Sequence, residues 1–231
     1  MGSISKQNTK IFPRPLVVQD LVHHSPDIFE IRLDRENFDF TPGQYVSIYA
    51  SRNKISREYS IASGINDPYL GFLIKHLPEG IVTEYLMSLK PGDFVTVSKP
   101  KGEFRPGLQH STGDFTFIAT GTGIAPFLSY IKSNPDSPPG QFYYGVRYLK
   151  DAVVYEAFSN RCESYLAISR ENITGFNFGR VTSLTTKMIL GKTHHYYLCG
   201  LDAMIEEIRA YLISNGVSPD NIHHEIFFYS K

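Results

Sequence analysis

Residues 115–126 read FTFIATGTGIAP. The apolar run Phe115–Ala119 has the look of a buried strand. It passes through Gly121-Thr122-Gly123 into a segment, Ile124–Ser133, with helical character. A strand that turns through glycines into a helix start suits a nucleotide: the glycines let a phosphate approach the backbone, and the helix start offers N–H donors and a favourable dipole. Pro126 stands where the dinucleotide fingerprint has its third glycine, so the usual G-x-G-x-x-G is not met. Proline is tolerated in a first helical turn. On these residues alone, a tight strand–helix turn without ligand is an equal competitor.

Downstream, strands are predicted at Gln141–Val146, Tyr165–Ile168, His195–Leu198 and His223–Tyr229, with helices at Ala152–Arg161 and Asp202–Ser214. Leu201, Met204, Ile205, Ile208, Tyr211 and Leu212 share one helical face, and Asn215-Gly216 ends it. Alternating strands and helices predict a doubly wound parallel sheet. Upstream the pattern changes. Asp27–Leu33, Gln44–Tyr49, Leu70/Phe72/Ile74 and Phe94–Val97 alternate with period two between Pro/Gly turns, which predicts a small antiparallel barrel or sandwich. Val82, Tyr85, Leu86 and Leu89 place one amphipathic helix at 81–89. The polar stretch Arg105–Asp114 marks the boundary, giving domains 1–108 and 109–231.

Composition excludes several classes. The chain has 231 residues, 42% of them hydrophobic, so a sizeable core is available. Its 23 basic and 23 acidic side chains cancel, which argues against a nucleic-acid binder. Two cysteines, Cys162 and Cys199, are too few for an iron–sulfur cluster or a four-cysteine zinc site, and they suggest a cytoplasmic protein. No apolar run is long enough for a membrane helix. The pairs His23-His24, His194-His195 and His223-His224 do not suggest a metal site, because neighbours on a strand point to opposite faces.

Two further segments offer ligand chemistry. Arg57-Glu58-Tyr59-Ser60 sets a cation, an aromatic ring and a hydroxyl on one short strand; a cation suits a diphosphate and a ring suits stacking on a planar cofactor. Gly80-Ile81-Val82-Thr83 opens the 81–89 helix, where simple capping competes with anion binding.

Taken in order, these segments resemble the ferredoxin–NADP⁺ reductase family. Arg57–Ser60 looks like its RxYS flavin motif, Gly80–Thr83 its Gly-x-x-Ser/Thr helix start, Gly121–Pro126 its GTGIAP nucleotide motif, and Cys199-Gly200 its late Cys-Gly pair. Pro42-Gly43-Gln44-Tyr45, Pro91-Gly92-Asp93 and Gly102-Glu103-Phe104 fall in the family's order as well. The resemblance implies an antiparallel six-stranded barrel that binds FAD, followed by an α/β doubly wound parallel sheet that binds NADP. It implies that Tyr59 stacks on the flavin, Ser60 and Glu225 lie near its reactive edge, and Cys199 borders the nicotinamide. Arg57, Lys75, Gly80 and the backbone of Ile81, Val82 and Thr83, with the Thr83 hydroxyl, would hold the FAD diphosphate. Gly121, Thr122 and Gly123 would face the nicotinamide nucleotide.

Ser169-Arg170, Arg180 and Arg147 supply hydroxyl and cationic groups near strand ends, where a 2′-phosphate is read, so NADPH is expected over NADH. Phe227, Phe228 and Tyr229 are the candidates to cover the flavin. The expected activity is that of a ferredoxin/flavodoxin–NADP⁺ reductase-like oxidoreductase, moving hydride between NADPH and FAD and single electrons between FAD and a separate ferredoxin or flavodoxin. Arg52, Lys54, Lys99, Lys101 and Arg105 are candidates for the docking face. An NAD(P)H flavin reductase, an oxygenase reductase component and a non-catalytic flavin- or nucleotide-binding module are the alternatives.

Overall fold

The computed structural model describes residues 12–50, 55–107 and 112–228. The first sheet comprises β1 (Arg14–Ser25), β2 (Ile28–Asp34), β3 (Tyr45–Ala50), β4 (Ile55–Ser60), β5 (Tyr69–Lys75) and β6 (Phe94–Val97), in the order β4-β3-β6-β1-β2-β5, all antiparallel. Just past β4, the Ala62 N–H donates to the Gly71 carbonyl of β5 at 2.8 Å, and this link brings the two edges together into a barrel. Alternation does the sorting: Phe29, Ile31 and Leu33 of β2, Val46 and Ile48 of β3, and Val95 and Val97 of β6 pack into one core. Helix α1 (Ile81–Met87) adds Val82 and Leu86 to it. The expected helix stops at Met87 instead of Leu89, and Ser88 caps it ahead of the Pro91-Gly92 turn.

The second sheet is parallel and six-stranded: β7 (Phe115–Thr120), β8 (Gln141–Val146), β9 (Glu163–Ile168), β10 (Asn177–Phe178), β11 (His195–Leu201) and β12 (Ile222–Phe228), ordered β10-β9-β8-β7-β11-β12. Helices α2 (Ala125–Ser133) and α3 (Glu156–Ser159) cover one face through Phe127, Leu128, Ile131 and Phe158. Helix α4 (Asp202–Ser214) covers the other through Met204, Ile205, Ile208 and Leu212. The helix expected over Ala152–Arg161 shrinks to α3, because Val154 adopts a left-handed φ of 55° that interrupts any longer helix. The chain runs outward from β7 to β10, then crosses back to β11. Strands β7 and β11 therefore flank the switch point at which α/β sheets bind ligands.

Barrel and parallel sheet meet along one seam. Ile28, Ala62 and Leu73 of the barrel join the core beneath α2. The polar side of α2 grips the loop after β4: Ser129 Oγ donates to the Ser63 carbonyl at 2.7 Å, the Ile65 N–H donates to Ser133 Oγ at 3.0 Å, and Lys132 Nζ meets Asp67 Oδ2 at 3.1 Å. The expected division at residue 108 falls outside the described residues, between β6 and β7.

Candidate functional site

A cavity of about 500 Å³ opens at the other end of this seam. From the barrel it takes Arg57, Glu58, Tyr59 and Ser60 of β4, Lys75 at the end of β5, and Gly80, Ile81, Val82 and Thr83 at the start of α1. From the parallel sheet it takes Thr122, Glu225 and Phe227. Five segments separated by up to 170 residues thus line one space. Ser60 and Thr122 are buried, Tyr59 is half-buried and Arg57 is exposed. Burial pushes the Tyr59 phenol up to about 12, so it stays neutral. Tyr45 also lines the cavity and was not among the sequence candidates; it pairs directly with Ser60 across β3 and β4. Only strand register, which one sequence does not fix, identifies it.

Thr83 departs from its expected use. Its hydroxyl lies 3.1 Å from the Leu77 carbonyl and 3.0 Å from the Gly80 carbonyl, and it accepts from the Leu77 N–H at 3.3 Å. A hydroxyl has one proton to give, and here the backbone takes it. The donors left at this helix start are backbone: the first i→i−4 bond is Glu84 N to Gly80 O, so the N–H groups of Ile81, Val82 and Thr83 have no partner inside the helix.

The glycine turn divides into two jobs. Gly121 has a left-handed φ of 54°, and a Cβ there would meet open space. Gly123 is buried, and a Cβ there would collide with the Cys199 carbonyl. Gly123 therefore serves the close approach of the turn to β11. Gly200 does the same from the other strand, fitting against Thr120. The chain enters α2 through a short 3₁₀ turn, Gly121–Ile124, with Pro126 in the first turn as expected.

Cys199 is fully buried, beside Glu225 in the β11–β12 register. Burial, and then the charge of Glu225, raise its thiol well above the ordinary range, so it is a neutral wall rather than a nucleophile. Burial, and then the charge of Glu58, push the Glu225 carboxyl up to about 7. Phe227 shares the face of Glu225, as alternation predicts. Tyr229 lies outside the described residues, as do Arg52 and Lys54.

Arg147, Ser169, Arg170 and Arg180 do not line this cavity. They gather instead beyond the C-terminal ends of β8 and β9. The Ser169 N–H donates to Val146 O at 3.0 Å, the Arg170 N–H to Arg147 O at 2.9 Å, and the Gly179 N–H to Ile168 O at 2.9 Å, which brings Arg180 to the same edge. All three arginines are exposed. Glu171 turns back to accept from the Leu149 N–H at 2.8 Å.

The FAD group can be tested against these residues. A ring, a cation, free backbone donors and an apolar wall from Leu73, Ile74 and Val82 share one cavity of ligand-binding size, which fits a flavin dinucleotide. Among the described residues no group of three or more metal-ligating side chains is found, and no helix is long and apolar enough to cross a membrane.

Comparison with known proteins finds a family match in each half of the chain. The oxidoreductase FAD-binding domain family matches residues 13–105, and the oxidoreductase NAD-binding domain family matches residues 117–210. The toluate 1,2-dioxygenase electron transfer component of Pseudomonas putida is 34% identical over 199 residues, covering 81% of this chain and 59% of that protein. The chain thus spans about three-fifths of that relative. The reductase component (ferredoxin–NAD(P)⁺) of the Pseudomonas putida naphthalene 1,2-dioxygenase system is 28% identical, covering 95% of this chain and 70% of its own length. A ferredoxin NADP⁺ reductase from Neisseria gonorrhoeae, solved with bound FAD and NADP, shares the fold with a TM-score of 0.84 at 18% identity, over 93% of this chain and 98% of that one.

Proposed function

The chain belongs to the ferredoxin–NADP⁺ reductase family of FAD- and NAD(P)-binding oxidoreductases, and from that premise we propose that it moves hydride between NADPH and FAD and single electrons between FAD and a separate carrier protein. The observation that carries the reading is the convergence of Arg57–Ser60, Thr122 and Glu225–Phe227 on one cavity across the seam. FAD, when bound, supplies both the hydride chemistry and the one-electron chemistry. The protein's part is to bind, orient and shield.

In this reading the Tyr59 ring stacks on the flavin and Phe227 covers the opposite side until nicotinamide displaces it. Arg57, Lys75 and the free N–H groups of Ile81, Val82 and Thr83 hold the diphosphate. The Thr83 hydroxyl locks the helix start instead of touching phosphate. Ser60 places a hydroxyl at the reactive edge, and Glu225 holds or releases a proton there near neutral pH. Gly121 and Thr122 receive the nicotinamide nucleotide, with Cys199 as a neutral neighbour. Arg147, Ser169, Arg170 and Arg180 read the 2′-phosphate, which favours NADPH over NADH.

The carrier is a ferredoxin or flavodoxin in the cytoplasm, docking on a face that includes Lys99, Lys101 and Arg105. The dioxygenase relatives support a second reading of the same chemistry, in which the carrier is an oxygenase component or its ferredoxin. Rates with free flavin against rates with an added carrier separate these from a flavin reductase. Cytochrome c reduction should depend on added ferredoxin or flavodoxin; rapid reduction of free flavin with no response to either carrier would overturn the carrier assignment.

A further inference from the structure

Glu225 lines two cavities. One is the site above. The other, of about 550 Å³, is lined by Glu103, Arg105, His195, Tyr197, His223 and Glu225 itself. Strands β11 and β12 run parallel with Tyr197 opposite His223 and Cys199 opposite Glu225. Residues two apart on a strand share a face, so His223 and Glu225 form a row along β12, and Glu225, common to both linings, joins the second cavity to the first.

At the far end of that row, His195 Nδ1 and His223 Nε2 lie 3.0 Å apart. Their rings are nearly parallel, with 5.3 Å between centroids, and the Tyr197 ring backs His223 at 4.5 Å. A hydrogen bond between two imidazole nitrogens needs one N–H and one bare nitrogen, so the pair carries at most one positive charge and shares a proton. Imidazole both takes and gives a proton near neutral pH.

We propose that the His195–His223 pair is the outlet by which a proton held on Glu225 exchanges with water in the second cavity. The assignment rests on the FAD reading of the first cavity. Reoxidation of two-electron-reduced FAD by two one-electron acceptors releases one proton, and the row accounts for it. The Glu225 carboxylate takes the proton and passes it to the His223 ring, His223 Nε2–H gives its own to His195 Nδ1, and His195 gives one to water.

Glu58 and Tyr45 face Glu225 from the barrel, with Cys199 beside it on β11, while Arg57 and Lys75 line the first cavity and Arg105 the second. Glu103, Arg105 and His224 complete the wall of the second cavity. Burial and the Glu58 charge bring the Glu225 carboxyl to about 7, so it both takes and gives a proton near neutral pH.

Two readouts test the outlet. In flavin-free protein carrying ¹³C-carboxyl glutamate, the titration of Glu225 is followed by NMR in the wild type and in His223→Gln. The midpoint should move when the imidazole is removed; superimposable curves would overturn the coupling. In FAD-loaded, pre-reduced protein mixed with ferricyanide in weak buffer, a pH indicator reports proton release while absorbance reports flavin reoxidation. The two should coincide in the wild type, and proton release should lag by at least about tenfold in His223→Gln and in His195→Gln. Coincident traces in both variants would overturn the proposal. Failure of the wild type to bind FAD would defeat the flavin reading instead, and the NMR titration would then decide whether Glu225 and the histidines are coupled.

Discussion

The two ends of the interdomain seam treat a buried carboxylate in opposite ways. At the α2 end, Glu30 of β2 is buried. Burial alone would raise its pKa, but His24, at 3.6 Å, and Arg32, at 2.8 Å, overturn that, and Lys132 adds its charge; the result is a value of about 2. At the cavity end, Arg57, Lys75 and Arg105 line the walls without holding the Glu225 carboxyl down. Burial and the neighbouring charge of Glu58 lift it to about 7. One end has its charges matched, at Glu30, His24 and Arg32 within the barrel and at Lys132 and Asp67 across the seam. The other leaves a carboxyl poised between states, which costs stability and is useful only where protons or charges come and go.

The largest expected effect comes from breaking the matched end. Glu30→Gln removes the carboxylate 2.8 Å from the Arg32 guanidinium, leaving it only Asp20 at 3.9 Å, and should destabilise the protein by about 3 kcal/mol, read by chemical denaturation at pH 7. A loss of less than about 0.5 kcal/mol would mean that the network holds nothing. Next are the exposed arginines beyond β8 and β9. Arg170→Ala and Arg180→Ala should each raise the KM for NADPH by about 10- to 100-fold while leaving that for NADH nearly unchanged, the cost of one charge-assisted phosphate contact. Equal losses with both coenzymes would remove these residues from 2′-phosphate recognition.

The pH dependences should run in opposite directions. Glu30 is more acidic in the fold than in the unfolded chain, so its contribution is present above about 4.5 and fades as pH falls towards 2. Glu225 is less acidic in the fold, so its contribution is intact below about 4.5 and is lost as pH rises through 7. The variant Glu225→Gln should therefore gain on the wild type across pH 5–8, by about 1–2 kcal/mol once partial solvation is allowed for. A stability difference that does not vary over that range would contradict the poised carboxyl. The smallest expected effect is Ser129→Ala, which removes one hydrogen bond of the α2 grip and should cost about 1 kcal/mol in denaturation.

Much of the fold was legible because it rests on periodicity. The alternating strands of the barrel and the Asp202–Ser214 helix follow from side-chain spacing alone. The first strand, Arg14–Ser25, was missed because Pro15, Asp20 and the His pair break its alternation and two bulges shift its register. The site was legible where one segment carries several groups, as in Arg57–Ser60. It was not legible where contact spans the chain. Nothing near Gly123 says that its missing Cβ makes room for Cys199, nothing near Thr83 says that Leu77 will engage its hydroxyl, and the approach of Glu58 to Glu225 joins residues 167 positions apart.

A flavin site served by NADPH between the barrel and the parallel sheet has a direct signature, the anaerobic visible spectrum of the FAD-reconstituted protein before and after one equivalent of NADPH. A bound-flavin spectrum that bleaches on addition is the predicted result. A protein that takes up no FAD, or whose flavin stays oxidised with both NADPH and NADH, would contradict it.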